Sequence, residues 1–322
     1  MRCLALFLED GGFMGNPFNY IAINLTNRCN TYCKYCFQSA TATDQDYLYF
    51  ETVKNILDYT GNRADADKKR IVHLTGGEPT MNHDFFKILE YVIQKGFVVR
   101  IQSNGLSWNR FRQEDLELLR NKNVSIKISL DGWNAETHEF LRAPNTFELI
   151  KSNIQLLTHY CRMVGIKTCV HEKNIDELGR MLEVCKELSV QGFSYSILRR
   201  EGEALHHVPE QEFQISEVTV AEKLIPLFNK PEYQYLMNGN NLLLYYYTGG
   251  NIRYQPHFYV DYDGNVYPHQ SCVQEECMGN VLKEGNDVFV LEKALEWGHS
   301  HEVDMPTVAY VKEHFQPRNK RG

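Results

Sequence analysis

The stretch Tyr20-Ile-Ala-Ile-Asn-Leu25-Thr-Asn-Arg-Cys29-Asn-Thr-Tyr-Cys33-Lys-Tyr35-Cys36-Phe37 joins an apolar run to a loop with three cysteines within eight residues. The run from Tyr20 to Leu25 reads as a strand, and the loop stands at its C-terminal end. Thiolates at Cys29, Cys33 and Cys36 match three corners of a cubane iron–sulfur cluster, and no fourth cysteine follows nearby. A metal site with an open ligand position is usually reactive, whereas a closed one is usually structural. The spacing therefore suggests that a small molecule completes the cluster. A zinc ribbon is the alternative, and it needs a second, equally close ligand pair. Cys272 and Cys277 are the one candidate pair, with four intervening residues and far down the chain. The first loop also spends one cysteine more than a two-pair ribbon requires.

Gly76-Gly77-Glu78-Pro79 follows Arg70–Leu74, a short β-branched run that reads as the next strand. Two adjacent glycines let the backbone approach a ligand closely, because no Cβ intervenes. Glu78 offers an acceptor for a ligand ammonium, and Pro79 stiffens the loop exit. Alone, this tetrapeptide would be an ordinary turn. Placed after Cys-x3-Cys-x2-Cys, the pair of motifs resembles the radical S-adenosylmethionine superfamily. In that family the methionine part of the cofactor chelates the fourth iron of a [4Fe–4S] cluster.

The resemblance implies further cofactor contacts. Tyr35 lies between the last two cluster cysteines, where the family often sets an aromatic residue against the adenine. Ser103-Asn104-Gly105 closes the third strand and is similar to the family's ribose and methionine contacts. Ser129-Leu-Asp131-Gly closes the fourth, with Arg142 thirteen residues after Ser129. That register resembles the branch of sulfatase and peptide maturases, in which the serine and arginine hold the cofactor carboxylate. An arginine fork suits a carboxylate better than a lysine does. Gly76, Gly77, Glu78 and Leu198, at the end of the sixth strand, complete the implied cofactor set.

The 322 residues are 43% hydrophobic with a net charge of −7, which fits a globular chain and argues against binding to nucleic-acid phosphates. The opening apolar stretch, Leu4 to Leu8, is too short for an export signal or a membrane span. Nine cysteines without an export signal point to a reducing, cytoplasmic setting and not to a disulfide framework. Cys3, Cys161, Cys169 and Cys185 read as packed thiols.

Strands are expected at Tyr20–Leu25, Arg70–Leu74, Phe97–Gln102, Val124–Leu130, Gly165–Val170 and Gly192–Leu198. Helical patterns lie between them. From Asp84 to Lys95 the apolar residues recur with helical period, Asn82 or Asp84 offers a cap, and Gly96 ends the helix. Six successive βα units imply parallel strands with right-handed crossovers, hence an α/β fold with a partial (βα)6 TIM-like barrel. Every motif named so far falls at a strand C-terminus, where barrel enzymes place their chemistry. The barrel is expected over residues 15–200 and a helical and strand linker over 201–255. A C-terminal extension is expected over 256–322.

In the linker, Ser216–Phe228 reads as a helix and Leu242–Tyr247 as a strand. Phe258–Asp261 leads into a hairpin around Asp263-Gly264. Asp263-Gly-Asn-Val-Tyr-Pro268, followed by Gly279-Asn-Val281, resembles the SPASM or twitch extension of radical enzymes, which often binds an auxiliary iron–sulfur cluster. Here His269 stands where that pattern puts a cysteine. Cys272 and Cys277, with His269 and His257, remain candidate ligands of an unusual auxiliary cluster, or else act as catalytic thiols near the substrate. The close pairs His206/His207 and His299/His301 read as solvated, and Tyr245 to Tyr247 as an aromatic strand core.

The resemblance implies an enzyme that cleaves S-adenosylmethionine reductively to a 5′-deoxyadenosyl radical, with electrons from a low-potential donor such as flavodoxin or ferredoxin. A ribosomally made peptide or protein is the leading substrate class. With 28 residues ahead of Cys29, a leader peptide is expected to bind elsewhere or on a partner. The alternatives are a radical enzyme acting on a small metabolite, and a non-catalytic iron–sulfur or zinc protein. The third needs no methionine pocket, and so leaves Gly76–Pro79 and Arg142 unexplained.

Overall fold

Alternation governs the strands. Along Val98–Ser103 and Val124–Ser129 every second residue is buried, so each strand has one apolar face for a helix layer. The computed structural model describes residues 19–62, 64–239, 258–267 and 279–280. Its elements run β1 (Tyr20–Asn24), α1 (Phe50–Gly61), β2 (Ile71–Thr75), α2 (Phe85–Gln94), β3 (Val98–Ser103), α3 (Gln113–Glu117) and β4 (Val124–Ser129). There follow α4 (Ala135–Glu139), α5 (Phe147–Tyr160), β5 (Val164–Val170), α6 (Leu178–Glu187) and β6 (Gly192–Ile197). The chain then adds α7 (Ala204–His207), α8 (Glu217–Phe228), β7 (Phe258–Val260), β8 (Asn265–Tyr267) and β9 (Gly279–Asn280).

β1 to β6 pair in sequence order and all in parallel, giving the expected (βα)6 arrangement. The outward strand residues, among them Ile23, Leu74, Ile101, Ile128 and Ile166, form one core with Leu57, Leu89, Ile154 and Leu182 of the helices. Each such side chain contributes about 1.5–3 kcal/mol on burial. The α2 expectation holds closely. Asp84 sits at the cap position and Gly96, at φ +76°, ends the helix. The Asp84 carboxylate, however, accepts from the Phe50 amide at 3.0 Å and so caps α1. Ser216 caps α8 by accepting from the Thr219 amide at 3.1 Å.

The C-terminal hairpin continues the barrel sheet. β7 runs parallel to β1, with Ile21 opposite Phe258, and β8 and β9 add antiparallel strands beyond it. Gly264, at φ +78°, turns the hairpin. Tyr259 anchors this edge to the cysteine loop: its hydroxyl oxygen accepts from Asn24 Nδ2 at 3.1 Å and Gln38 Nε2 at 2.7 Å. Cys3, Leu242–Tyr247, His257, His269, Cys272, Cys277, His299 and His301 lie outside the described residues. No helix among the described residues is long and apolar enough to cross a membrane.

Candidate active site

The cysteine loop is held by backbone contacts on several sides. Cys29 N–H donates to Thr41 O (2.9 Å), Lys34 N–H to Leu141 O (2.8 Å), and Cys36 O accepts from the Glu203 amide (2.9 Å). The glycines of the next loop seat it from below. Gly77 N–H donates to Thr26 O at 2.7 Å and Glu78 N–H to Arg28 O at 2.9 Å. A Cβ on Gly77 would stand 2.6 Å from Arg28 O, and one on Gly76 2.7 Å from Thr26 O. The close approach that these two glycines permit is thus to the cysteine loop itself.

Glu78 is fully buried. Its Oε1 accepts from Thr80 Oγ1 (2.6 Å) and Ser103 Oγ (2.9 Å), and its Oε2 from the Asn104 amide (2.7 Å). Burial raises its pKa against those hydrogen bonds. The Glu78 carboxylate is held by these protein donors. It fixes the loop after β3, from which Asn104 Nδ2 reaches Cys29 Sγ at 3.7 Å and Asn30 Oδ1 at 2.8 Å.

A second buried carboxylate organises the other side. Asp131 Oδ2 accepts from Arg142 Nε (2.5 Å) and the Tyr35 hydroxyl (2.7 Å), and Oδ1 from the Cys169 amide (2.8 Å). Arg142 also donates to the Tyr35 oxygen through Nη2 and lies 3.6 Å from Cys33 Sγ through Nη1. Burial opposes ionisation of Asp131, yet Arg142 and the hydrogen bonds outweigh it and its pKa is lowered. Behind this hub the His138 ring accepts the Asp131 amide at 3.1 Å through Nδ1, and burial pulls its pKa down to about 4. Gly132 is required here, because a Cβ would fall 2.2 Å from the His138 amide nitrogen.

Tyr35, Asp131, Arg142 and Cys33 therefore converge, as do Glu78, Ser103, Asn104 and Cys29. Leu198 belongs to the apolar cluster with Leu141 and Cys169 against which Tyr35 packs. The Ser129 hydroxyl oxygen accepts from Gln102 Nε2 at 3.1 Å. Sequence reasoning missed His138 as the support of Asp131.

Cys29, Cys33 and Cys36 are free thiols within electrostatic reach of one another. Burial pushes Cys29 up to about 12 and Cys33 up to about 11, so both are thiols until a metal displaces the proton. Among the described residues no three His, Cys, Asp or Glu side chains converge on one point that a single ion could fill. Three thiols of one loop, two of them facing N–H donors, are a donor set that fits an iron–sulfur cluster.

A parallel barrel with a three-cysteine loop at the C-terminal ends of its strands defines an iron–sulfur enzyme of the (βα)6 class. Residues 23–185 match the model of the Radical SAM superfamily, and the chain belongs to that family. An AdoMet-dependent heme synthase of Methanosarcina barkeri is 31% identical over 56% of this chain and 50% of its own length. The subtilosin biosynthesis protein AlbA of Bacillus subtilis is 28% identical over 55% of this chain and 39% of its own. This chain thus spans half or less of either relative. Among solved structures, anSMEcpe with bound AdoMet superposes with a TM-score of 0.69 at 17% identity, covering 86% of this chain and 81% of that one. Streptococcus suis SuiB bound to its precursor peptide SuiA gives 0.63 at 13%, covering 94% and 68%. These likenesses show the fold.

Proposed function

We propose that this radical enzyme modifies a ribosomally made peptide. The observation that carries the reading is the convergence of the cysteine loop, the Glu78–Asn104 support and the Asp131–Arg142–Tyr35 hub at the C-terminal ends of β1 to β4. The names of several relatives point the same way: AlbA is described by subtilosin biosynthesis, SkfB by maturation of a sporulation killing factor, and MftC as a mycofactocin maturase.

In this reading Cys29, Cys33 and Cys36 hold three irons of a [4Fe–4S] cluster. When bound, the cluster and S-adenosylmethionine supply one-electron cleavage and a hydrogen-abstracting carbon radical. The chain's own residues do the positioning. Tyr35 and Leu198 present an aromatic edge and an apolar wall for an adenine. Gly76, Gly77, Glu78, Ser103 and Asn104 shape the polar side, with Glu78 acting through the two residues that it anchors. Ser129, Asp131 and Arg142 form the anion side, where Arg142 carries charge toward Cys33 and a cofactor carboxylate. Electrons come from a low-potential donor such as flavodoxin or ferredoxin. Cys272 and Cys277 act on the true substrate, as thiols or as ligands of an auxiliary cluster.

The heme synthase and a GTP 3′,8-cyclase of Pasteurella multocida, 24% identical over 65% of this chain, favour a second reading with a small-molecule substrate. Anaerobic incubation of reconstituted protein with reductant, S-adenosylmethionine and peptides from neighbouring short reading frames separates the two. A mass change in a peptide supports the first. Conversion of an added small metabolite, with no peptide product, supports the second.

A further inference from the structure

Both arms of the cysteine loop end on one phenol. The Tyr259 hydroxyl oxygen accepts from Asn24 Nδ2 at 3.1 Å and from Gln38 Nε2 at 2.7 Å. Asn24 closes β1, ahead of Cys29, and Gln38 follows closely on Cys36. The Asn24 amide is oriented for this bond, because its Oδ1 already accepts the Thr26 N–H at 3.2 Å. Asn24 and Tyr259 are both buried. Burial raises the pKa of the phenol, which therefore keeps its proton.

The hydroxyl is delivered from a sheet. Tyr259 lies in β7 opposite Ala22 of β1 and Tyr267 of β8, and its ring packs with both. Residues 25–37, by contrast, carry no helix or strand, and two isolated bridges join them to the chain that follows, Thr26 to Tyr47 and Arg28 to Thr41. The exit of the loop is strained. Ser39, next to Gln38, has φ +50°, a left-handed conformation that a residue with a side chain keeps only when its surroundings impose it. Glu203 bonds Ser39 through its side chain, and Tyr259 fixes the residue before it.

Closing the base of a loop removes conformations from everything between the two ends. Here Cys29, Cys33 and Cys36 lie between them. Loss of the hydroxyl would also leave the buried Asn24 Nδ2 without this acceptor, which costs more than the bond itself contributes.

We propose that Tyr259 is a positioning residue of the cluster site. Its hydroxyl draws the two arms of the cysteine loop together and so sets the spacing of the three thiols, which makes the C-terminal hairpin part of that site. This rests on the reading of Cys29, Cys33 and Cys36 as the cluster ligands.

The test compares full-length wild type, Tyr259→Phe, Gln38→Leu, their double variant and Ile154→Val, a core truncation in α5. Hydrogen exchange is read by mass spectrometry over residues 25–37 and over α5, in metal-free protein and after reconstitution under nitrogen with iron and sulfide. Electron paramagnetic resonance of the dithionite-reduced cluster reports thiolate geometry through its g values. Tyr259→Phe should speed exchange over residues 25–37 by at least roughly fivefold, the weight of one ordinary hydrogen bond in an opening equilibrium, with α5 unchanged and the g values shifted. Gln38→Leu should move both readouts in the same direction, and the double variant should go no further than Tyr259→Phe, which already removes the shared bond. If Tyr259→Phe does not fold by circular dichroism, Gln38→Leu carries the same comparison. A smaller change in loop exchange overturns the proposal, as do additive effects in the double variant. Faster exchange that α5 shares, or that Ile154→Val reproduces over residues 25–37, overturns it because the tyrosine then serves general stability. Faster loop exchange with unshifted g values overturns it too, since the thiols then keep their spacing without the phenol. A wild type that takes up no iron removes the cluster reading, and loop exchange in the metal-free protein then decides alone whether Tyr259 holds the loop.

Discussion

Arg142 donates its Nε–H to the buried Asp131 carboxylate at 2.5 Å, and that same oxygen accepts the Tyr35 hydroxyl at 2.7 Å. The pair ties the residue between two cluster cysteines to the loop after β4. Arg142→Ala leaves Asp131 buried without its cation, a loss of about 3–5 kcal/mol. Urea unfolding should show it, and Arg142→Ala/Asp131→Asn should recover part. Calorimetry under nitrogen should also show weaker S-adenosylmethionine binding. Unchanged affinity would make Arg142 a purely structural residue.

Gly77→Ala should displace the cysteine loop, because the new Cβ meets backbone oxygen, which cannot rotate away. Overpacking of this kind costs about 1–3 kcal/mol. Iron retained after reconstitution should fall together with the melting temperature. Gly96→Ala is the control: a Cβ there meets nothing within 4 Å, although φ is +76°. It should lower the melting temperature without changing the iron content.

His138 gives stability a pH dependence of known sign. Its folded pKa of about 4 lies below the ordinary value of roughly 6.5. The folded state therefore binds fewer protons than the unfolded one. The contribution is fully present above pH 6.5 and is lost as pH falls toward 4, up to about 3 kcal/mol. Urea unfolding at several pH values should show this slope, and His138→Gln should flatten it. An equal slope in the variant would assign the effect elsewhere.

Cys272→Ala/Cys277→Ala should abolish product from the true substrate while uncoupled cofactor cleavage continues. If the two cysteines act as thiols, the variant with Cys29, Cys33 and Cys36 all changed to alanine should be nearly iron-free. About four irons per chain in that triple variant would instead reveal an auxiliary cluster.

The barrel was legible because its strands are β-branched runs that end in turn residues. Expected Arg70–Leu74 is Ile71–Thr75, and expected Phe97–Gln102 is Val98–Ser103. The cysteine spacing and Gly76–Glu78 marked the site for the same reason: their meaning is local. What could not be read depends on distant partners. Nothing near Glu78 announces the donors on Ser103 and Asn104, and nothing near Arg142 announces Tyr35, 107 residues away. The pairing of β7 with β1, and the bond from Asn24 to Tyr259 across 235 residues, belong to the same kind.

Reductive formation of 5′-deoxyadenosine tests the central claim most directly. Anaerobically reconstituted wild-type protein with dithionite and S-adenosylmethionine should produce it, and the Cys29→Ala/Cys33→Ala/Cys36→Ala variant should produce none. Undiminished 5′-deoxyadenosine from the triple variant would contradict the assignment of this loop as the cluster site.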